Sequence, residues 1–275
     1  PAIESALLNA AGGQRAAVWD WLKTQPDNET TKLLRNEVLS SAAWQDPELA
    51  LRLVADLPRT AEGDGKVQEL ARLLFNGGRA LHRFDKLFGQ VPDRLRQALV
   101  EEAFNYLSAD SLGDPQRWAA RLSLLPEASR AKGLESIARA WATQTPEEAI
   151  DWVESLPPGA ARNGGVAAIA STWAAKDARG AAEWVGAMAS GAERDRGAES
   201  LVMAIAERFP REAWDWALSI DDPAERTRAA SHTVKMMAAR DPATARQWIE
   251  TGPFTPETRA ELQSALAGSS QMTAQ

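Results

Sequence analysis

An arginine recurs every 32 residues at four positions of this sequence: Arg130, Arg162, Arg194 and Arg226. The planar guanidinium offers a fork of N–H donors that matches carboxylate and phosphate oxygens, so such a row could bind an acidic ligand. The alternative is structural, with each arginine paired to an acidic residue of its own or a neighbouring repeat. We predict the structural role, because a position that packing requires recurs in every unit whereas a binding site is local.

A second recurring row is acidic. Asp151, Glu183 and Asp215 also stand 32 residues apart, and Asp20 occupies the corresponding place in an earlier unit. Each of these carboxylates directly precedes a recurrent tryptophan. Together the two rows predict a zipper of ion pairs along the chain.

The two histidines predict neither a metal site nor a catalytic triad. His82 and His232 stand 150 residues apart. In a chain of stacked repeats each unit touches mainly its neighbours, so the two imidazoles should not meet as zinc ligands or share a triad. We expect both to be ordinary helix residues, and Tyr106 to be a packing residue.

Adjacent carboxylates are predicted to lie at helix starts or on helix surfaces rather than to serve acid–base chemistry. General acid–base catalysis needs two carboxyl groups that converge in a pocket, whereas neighbours in sequence at a helix start favour capping and the helix dipole. The pairs are Glu101-Glu102, Glu147-Glu148 and Asp221-Asp222. Since no glycine pair follows a strand or precedes a Lys-Ser/Thr, nucleotide binding has no support either. The sequence therefore predicts no catalytic, cofactor-binding or metal-ligating residue.

Tryptophan also recurs every 32 residues, at Trp152, Trp184, Trp216 and Trp248, and Trp21 and Leu53 hold the place in earlier units. Each stands among aliphatic residues at helical spacing, which predicts core packing. The alternative is a row of aromatic rings that stack on sugars or proline-rich peptides. Trp19 and Trp214 lie two positions earlier, roughly 200° around a helix, and are predicted to make exposed contacts.

Proline and its neighbours mark the boundaries of the repeating unit. Pairs such as Thr145-Pro146 and Asp241-Pro242 suit the first positions of a helix, and Pro157 ends one. A second helix follows directly, so that each unit is two short helices. Further caps are predicted for Thr145 with Glu148, Ser190 with Glu193, and Asp222 with Glu225.

The predicted fold is all-α: a right-handed α-solenoid of about eight two-helix repeats, each about 32 residues long. Helices of about 12 residues are marginal alone in water, so neighbouring units must stack to be stable. We predict one domain over residues 1–275, with an N-terminal capping helix at 1–13, hairpins over 14–267 and a frayed tail at 268–275. The repeat is irregular around 59–92. Leu87 and the shifted Trp118 depart from the tryptophan pattern, and a specific site is predicted within about 47–125.

Composition excludes several classes. The net charge is −7, which disfavours nucleic acid as a partner. The chain has no cysteine and hence neither disulfides nor thiolate metal sites, and no apolar run is long enough to span a membrane. It begins at Pro1 without methionine, which is compatible with an excised fragment or a removed leader or anchor. We expect a periplasmic or otherwise exported location rather than a cytoplasmic one.

The unit resembles the helical hairpins of α-solenoid families, among them the tetratricopeptide, Sel1-like and HEAT repeats. Its length is nearest to the tetratricopeptide repeat, in which proline closes the second helix. Here Pro146 and Pro242 open the first helix and Pro157 closes it. This arrangement is similar to the Asp-Pro…Trp…Leu-Pro repeats of uncharacterised bacterial proteins, many of them exported. The resemblance implies a scaffold or binding role and brings no catalytic residues.

These observations lead to a first hypothesis of a non-enzymatic scaffold that binds a protein or peptide on its concave surface and needs no cofactor. The second is an α-helical enzyme or small-ligand module with a groove site of the α/α-toroid type, and the third is a HEAT-like nucleic-acid binder. The oligomeric state stays open. The candidate interaction residues are Trp19, Trp214, Arg130, Arg162, Arg194 and Arg226.

Overall fold

Long and short helices alternate along the chain. The computed structural model describes residues 12–57, 60–75, 88–89, 91 and 93–272, and within these it contains sixteen α-helices and no strand. The long helices are α2 (Glu29–Gln45), α4 (Ala61–Phe75), α5 (Asp93–Asn105), α8 (Glu127–Gln144), α10 (Ala160–Lys176), α12 (Ala192–Ile205), α14 (Pro223–Ala238) and α16 (Pro256–Met272). The short helices are α1 (Gly12–Lys23), α3 (Pro47–Ala55), α6 (Ala109–Leu112), α7 (Pro115–Arg121), α9 (Pro146–Glu154), α11 (Ala178–Ala187), α13 (Pro210–Leu218) and α15 (Pro242–Thr251).

The all-α prediction is confirmed, and the helices pack in neighbouring pairs as a helical repeat requires. Successive long helices begin 31 to 34 residues apart. Long helices pack against one another, α2 on α4 on α5 and α10 on α12 on α14 on α16, while short helices fill the places between them. The right-handed sense and the number of eight repeats stay predictions.

Two compact units make up the chain, residues 1–129 and 130–275, called here the N-terminal and C-terminal units. Their boundary falls inside α8 and not in the irregular stretch 59–92, much of which lies outside the described residues together with Leu87 and His82. The capping helix predicted at 1–13 also lies mostly outside them, and the single continuous stack stays a prediction. Helix α16 runs to Met272, and the fraying of the tail at 268–275 stays a prediction.

The aspartate-proline starts form as predicted. Asp46 accepts a hydrogen bond from the Leu49 amide at 3.0 Å, and Asp222 accepts from the amides of Ala224 and Glu225 at 2.9 and 2.8 Å. In both cases proline is the first helical residue, where its missing N–H leaves no donor unsatisfied. These caps are local in sequence, which is why the pattern alone predicts them.

Two other predicted caps differ in detail. Thr145 is the N-cap of α9, but its side chain bonds no backbone amide; its hydroxyl donates to Glu148 Oε2 at 3.2 Å. Ser190 is not a cap: α12 begins after Gly191, whose φ of 142° lies in a region that favours glycine. The glycine sets the direction of the chain at that helix start, so no side-chain cap forms there.

Alanine, rather than tryptophan, holds the most buried register of the short helices. Ala149, Ala181, Ala213 and Ala245 are each 0% exposed and stand 32 residues apart. One turn further on, a second buried row is formed by Val153, Val185, Ala217 and Ile249. These small and branched side chains let neighbouring helices approach closely and make the recurrent interior of the repeat.

Glycine makes a similar approach possible between the long helices. A Cβ on Gly165 of α10 would lie 2.9 Å from a methyl of Val153 and 3.0 Å from Leu134. A Cβ on Gly197 of α12 would lie 3.2 Å from Val166. Gly165 and Gly197 therefore lie at close contacts between helices, and both stand inside a helix and not at its end.

The recurrent tryptophans lie at the edge of this core. Trp152 is buried at 8% exposure and contacts Trp141 with ring centroids 5.7 Å apart. Trp184, Trp216 and Trp248 are half-buried against the core, whereas Trp21 is 52% exposed. The prediction of core packing therefore holds for Trp152 and in part for the next three, and it is wrong for Trp21.

The expectation that Trp19 and Trp214 are exposed is wrong. Trp19 is 2% exposed and donates from Nε1 to Asp56 Oδ2 at 3.0 Å. Trp214 is 6% exposed and stacks on Trp248 with centroids 5.0 Å apart. The buried face of α13 consists of Ala213, Trp214 and Ala217. The position of Trp214, which we predicted to face solvent, therefore faces the next hairpin.

Candidate functional site

The recurring arginines bind helix ends more than carboxylates. Arg162 donates to the carbonyl oxygens of Glu154 and Leu156, at 3.0 and 3.4 Å, and from Nε to Glu193 Oε1 at 2.9 Å. The carbonyls at the end of α9 have no partner within their helix, so the guanidinium supplies the missing hydrogen-bond donors. Its positive charge also interacts favourably with the negative end of the helix dipole. The predicted ion pair across repeats is found at this member of the row.

Other members of the row bind backbone acceptors. Arg194 donates to the Ser219 carbonyl at 2.9 Å and to its hydroxyl at 3.2 Å, and Arg226 donates to the Asp221 carbonyl at 3.3 Å. Arg259 continues the pattern with the Ile249 carbonyl at 3.2 Å. Recruitment of Arg130 or any of these to a ligand stays a prediction. Two of the carboxylates assigned to the zipper pair within their own helices instead: Glu183 with Arg179 and Asp20 with Lys23, each at 2.8 Å.

Asp195 and Arg194 together hold the turn that precedes α14. The Asp195 carboxylate is almost fully buried and accepts from the amides of Asp221 and Asp222 at 3.0 and 2.9 Å. Arg194 takes the Ser219 carbonyl of the same turn. This pair of adjacent residues therefore binds both donors and acceptors of the following repeat.

A further basic row escaped the sequence interpretation. Lys176 donates to the Thr143 carbonyl at 2.5 Å, and Arg208 donates to the Ala175 carbonyl at 3.3 Å. Each reaches back 33 residues to the end of the preceding long helix. The 32-residue interval from Lys176 to Arg208 could have identified this row. Its acceptors are backbone carbonyls, which no residue type in the sequence identifies.

The shifted Trp118 is a packing residue. It is 3% exposed, donates from Nε1 to the Leu112 carbonyl at 2.7 Å and meets Phe104 edge to face at 5.4 Å. Its displacement by one turn follows from the extra helix α6, whose last residue supplies the acceptor. The irregularity at this position thus reflects packing and not a binding aromatic.

A polar groove lies between α4 and α5, within the stretch where a site was predicted. Its volume is about 500 Å³. Facing turns of the two helices line it with Gly65, Gln68, Glu69 and Arg72 from α4, and with Ala98, Glu101, Glu102 and Asn105 from α5. We call this the α4–α5 groove. Three carboxylates and one guanidinium give its lining a net negative charge.

The carboxylates of the groove differ in their partners. Glu69 pairs with Lys66 at 2.8 Å. Glu101 and Glu102 accept instead from neutral amides, Gln97 at 2.9 Å and Asn105 at 3.4 Å. These two glutamates therefore keep their negative charge available to a ligand.

The C-terminal unit carries a second polar cluster, on the long helices α12 and α14. Arg196 Nη1 lies 2.8 Å from Glu199 and 3.5 Å from Glu225. Arg228 lies 2.8 Å from Glu199 through Nε and 3.7 Å from Glu225 through Nη2. We call these four residues the Arg196–Arg228 cluster. Its geometry braces α12 against α14.

Burial in this cluster raises the pKa of Glu225, and the neighbouring Glu199 raises it further, against the opposing effect of Arg196 and Arg228. Its Oε2 atom is buried without a hydrogen-bond donor among the described residues. The folded chain therefore holds this proton more tightly than the unfolded chain. The Glu225 contribution to stability consequently falls as pH rises from the ordinary glutamate value of 4.5 through the raised folded value.

Glu225→Gln is expected to remove this pH dependence. The free energy of unfolding of the variant should fall less, or rise more, than that of the parent between pH 4.5 and neutrality. Urea unfolding measured at a series of pH values checks the difference. Glu147→Gln, at an exposed position of α9, is the control and should leave the slope unchanged; parallel curves for Glu225→Gln and the parent would contradict the assignment.

His232 lies on the same helix α14, half-buried, and burial together with Lys235 lowers its pKa. Within the described ranges no group of three or more His, Cys, Asp or Glu side chains is arranged to hold a metal ion. A search of the helices in the same ranges likewise finds none that is long and apolar enough to cross a membrane.

Comparison with known proteins adds no relative to these observations. No family model matches the chain, and neither the search of curated proteins nor the search of solved structures found a match. What the chain does must therefore be inferred from its own surfaces, of which we single out the α4–α5 groove and the Arg196–Arg228 cluster.

Proposed function

We propose that this chain is a non-enzymatic scaffold that binds a protein or peptide segment on the surface of its long helices. The α4–α5 groove is the proposed site for a lysine- or arginine-bearing segment. The observation that carries the proposal is the pair Glu101 and Glu102, whose carboxylates line the groove and accept from neutral amides.

The dimensions of the groove suit side chains of a peptide. A volume of about 500 Å³ lies within the range of ligand pockets. Gly65 and Ala98 leave the space open on both walls, and the amides of Gln68 and Asn105 can pair with peptide backbone groups. A cationic side chain placed there would meet Glu101 and Glu102 and make charge-assisted hydrogen bonds.

The long helices are suited to carry this site because the short helices already use their inward faces for packing. The recurrent alanine, valine and tryptophan positions of the short helices hold the repeats together. The outward face of a long helix does not make these packing contacts, so its residues can differ from one repeat to the next. The residues that line the α4–α5 groove differ in this way, unlike the arginine and tryptophan rows, which recur every 32 residues.

The test is binding of a fluorescein-labelled peptide of alternating lysine and alanine to the full chain, followed by fluorescence anisotropy. Glu101→Gln combined with Glu102→Gln is expected to weaken binding about tenfold, since two favourable charges are lost. Raising the salt concentration should weaken binding to the parent more than to the variant.

A matched control replaces Glu147 and Glu154, both exposed on α9, by glutamine, which changes the net charge by the same amount. This control is expected to bind the peptide as the parent does. Equal affinity of the groove variant and the parent, or an equal loss in the control, would exclude the groove as the site.

A further inference from the structure

The Arg196–Arg228 cluster exposes cations and buries the carboxylates that hold them. The side chains of Arg196 and Arg228 are 45% and 51% exposed, against 10% for Glu199 and 18% for Glu225. An approaching ligand therefore meets the two guanidiniums first. The carboxylates beneath fix the orientation of both, so little side-chain entropy is lost when a ligand binds.

Each guanidinium keeps donors that the cluster does not use. Arg196 binds both carboxylates through Nη1, and Arg228 does so through Nε and Nη2. Of the N–H donors that an arginine carries, those on Nε and Nη2 of Arg196 and on Nη1 of Arg228 have no acceptor among the described residues. Both side chains share Glu199, so these donors lie close enough for one ligand to use them together.

The surroundings on the same two helices favour an acidic ligand with some apolar character. Ser200 and Met203 follow Arg196 on α12, and Met203 is 46% exposed. Lys235 follows Arg228 on α14 and is exposed. Burial, and after it the positive charge of Lys235, lowers the pKa of His232, which lies between Arg228 and Lys235 on α14.

We propose that Arg196 and Arg228 form a clamp for the carboxylates of an acidic peptide segment, with Met203 as an apolar contact beside it. An arginine fork binds a carboxylate through two parallel hydrogen bonds, which a lysine ammonium cannot do. Protonation of Glu225 would leave the cluster more positive and strengthen the clamp.

This site is separate from the α4–α5 groove in both residues and ligand charge. The groove lies in the N-terminal unit and offers carboxylates, whereas the clamp lies in the C-terminal unit and offers guanidiniums. The arginine row first considered for an acidic ligand, Arg162, Arg194 and Arg226, binds helix ends instead. The exposed cations stand two residues further along each long helix, at Arg196 and Arg228.

The experiment measures binding of a fluorescein-labelled peptide of alternating glutamate and alanine to the full chain by fluorescence anisotropy. Arg196→Gln combined with Arg228→Gln is expected to weaken binding about tenfold. Arg179→Gln combined with Arg211→Gln removes the same charge from exposed positions on the short helices α11 and α13 and should leave affinity unchanged. Equal losses in both variants, or none in the first, would overturn the proposal.

Two further arms keep the result interpretable. Removing both arginines leaves the buried Glu199 without its cationic partners. The variant Arg196→Lys with Arg228→Lys keeps both positive charges and is therefore expected to keep the fold. It should still bind several-fold more weakly than the parent because the forks are lost. Full affinity of this lysine variant would contradict the clamp. Stronger displacement of the peptide by a single-stranded oligonucleotide than by unlabelled peptide would assign the site to phosphates and also overturn the proposal.

Discussion

Trp214→Ala is expected to lower the free energy of unfolding by about 4 kcal/mol, the largest single effect in the short helices. The indole is 6% exposed, stacks on Trp248 and meets Phe254 edge to face at 5.7 Å. Its removal exposes apolar surface and leaves a cavity that the neighbouring hairpin can fill only in part. Urea unfolding followed by circular dichroism measures the change.

Trp21→Ala is the matched control. This tryptophan belongs to the recurrent row, yet it is 52% exposed, so its loss should change stability by less than about 1 kcal/mol. Comparable losses of stability for the two variants would mean that the two tryptophans are not buried to the different extents described for α1 and α13. A small loss for Trp214→Ala would argue that α13 and α15 do not pack through their tryptophans.

Asp195→Ala is expected to destabilise the chain by about 3 kcal/mol. The buried carboxylate accepts two charge-assisted hydrogen bonds, from the amides of Asp221 and Asp222, and lies beside Arg194. Alanine would leave both amides without an acceptor and would remove the negative charge that lies 4.0 Å from the Arg194 guanidinium. The turn that begins α14 would lose its attachment to α12.

Two comparisons check this prediction in the same unfolding measurement. Asp195→Asn keeps one acceptor oxygen and should recover part of the loss. Asp215→Ala, at an exposed position of α13, should change stability by no more than about 0.5 kcal/mol. Equal stability of Asp195→Ala and Asp215→Ala would show that the hydrogen bonds from the Asp221 and Asp222 amides to Asp195 contribute nothing to the free energy of unfolding.

Local features of the fold were predictable from the sequence. The aspartate-proline starts at Asp46 and Asp222 depend on residues a few positions apart, and their caps form as expected. The alternation of helices follows from the same signals together with the periodic apolar residues. Such features require no knowledge of how one repeat meets the next.

The direction of individual side chains was not predictable from the interval alone. A 32-residue period is equally compatible with a buried row and with one at the edge of the core, since both recur with the repeat. Trp19 and Trp214 are buried because α1 and α13 turn those positions towards a neighbouring hairpin, a relation between helices that no local pattern encodes.

Backbone acceptors and grooves were beyond the sequence for a related reason. The partners of Arg194 and Lys176 are carbonyl oxygens, which every residue has and no residue type identifies. The α4–α5 groove exists only because two turns separated along the chain face each other. Departures from the repeat indicated the stretch of sequence in which the α4–α5 groove lies, but they did not indicate the charge of the groove.

In this proposal, packing falls to the buried recurrent residues and binding to exposed residues of the long helices, of which Arg196 and Arg228 also stand one 32-residue period apart. The buried alanines and the helix-capping arginines recur in the C-terminal unit. The proposed binding residues are Glu101 and Glu102 on α5 of the N-terminal unit, and Arg196 and Arg228 on α12 and α14 of the C-terminal unit.

Hydrogen exchange on the full chain, with and without the lysine-alanine peptide, tests this division most directly. We predict that the peptide slows amide exchange in α4 and α5 and leaves exchange in α11, α13 and α15 unchanged, because those short helices serve packing. Slower exchange confined to the tryptophan-bearing short helices, with α4 and α5 unaffected, would contradict it.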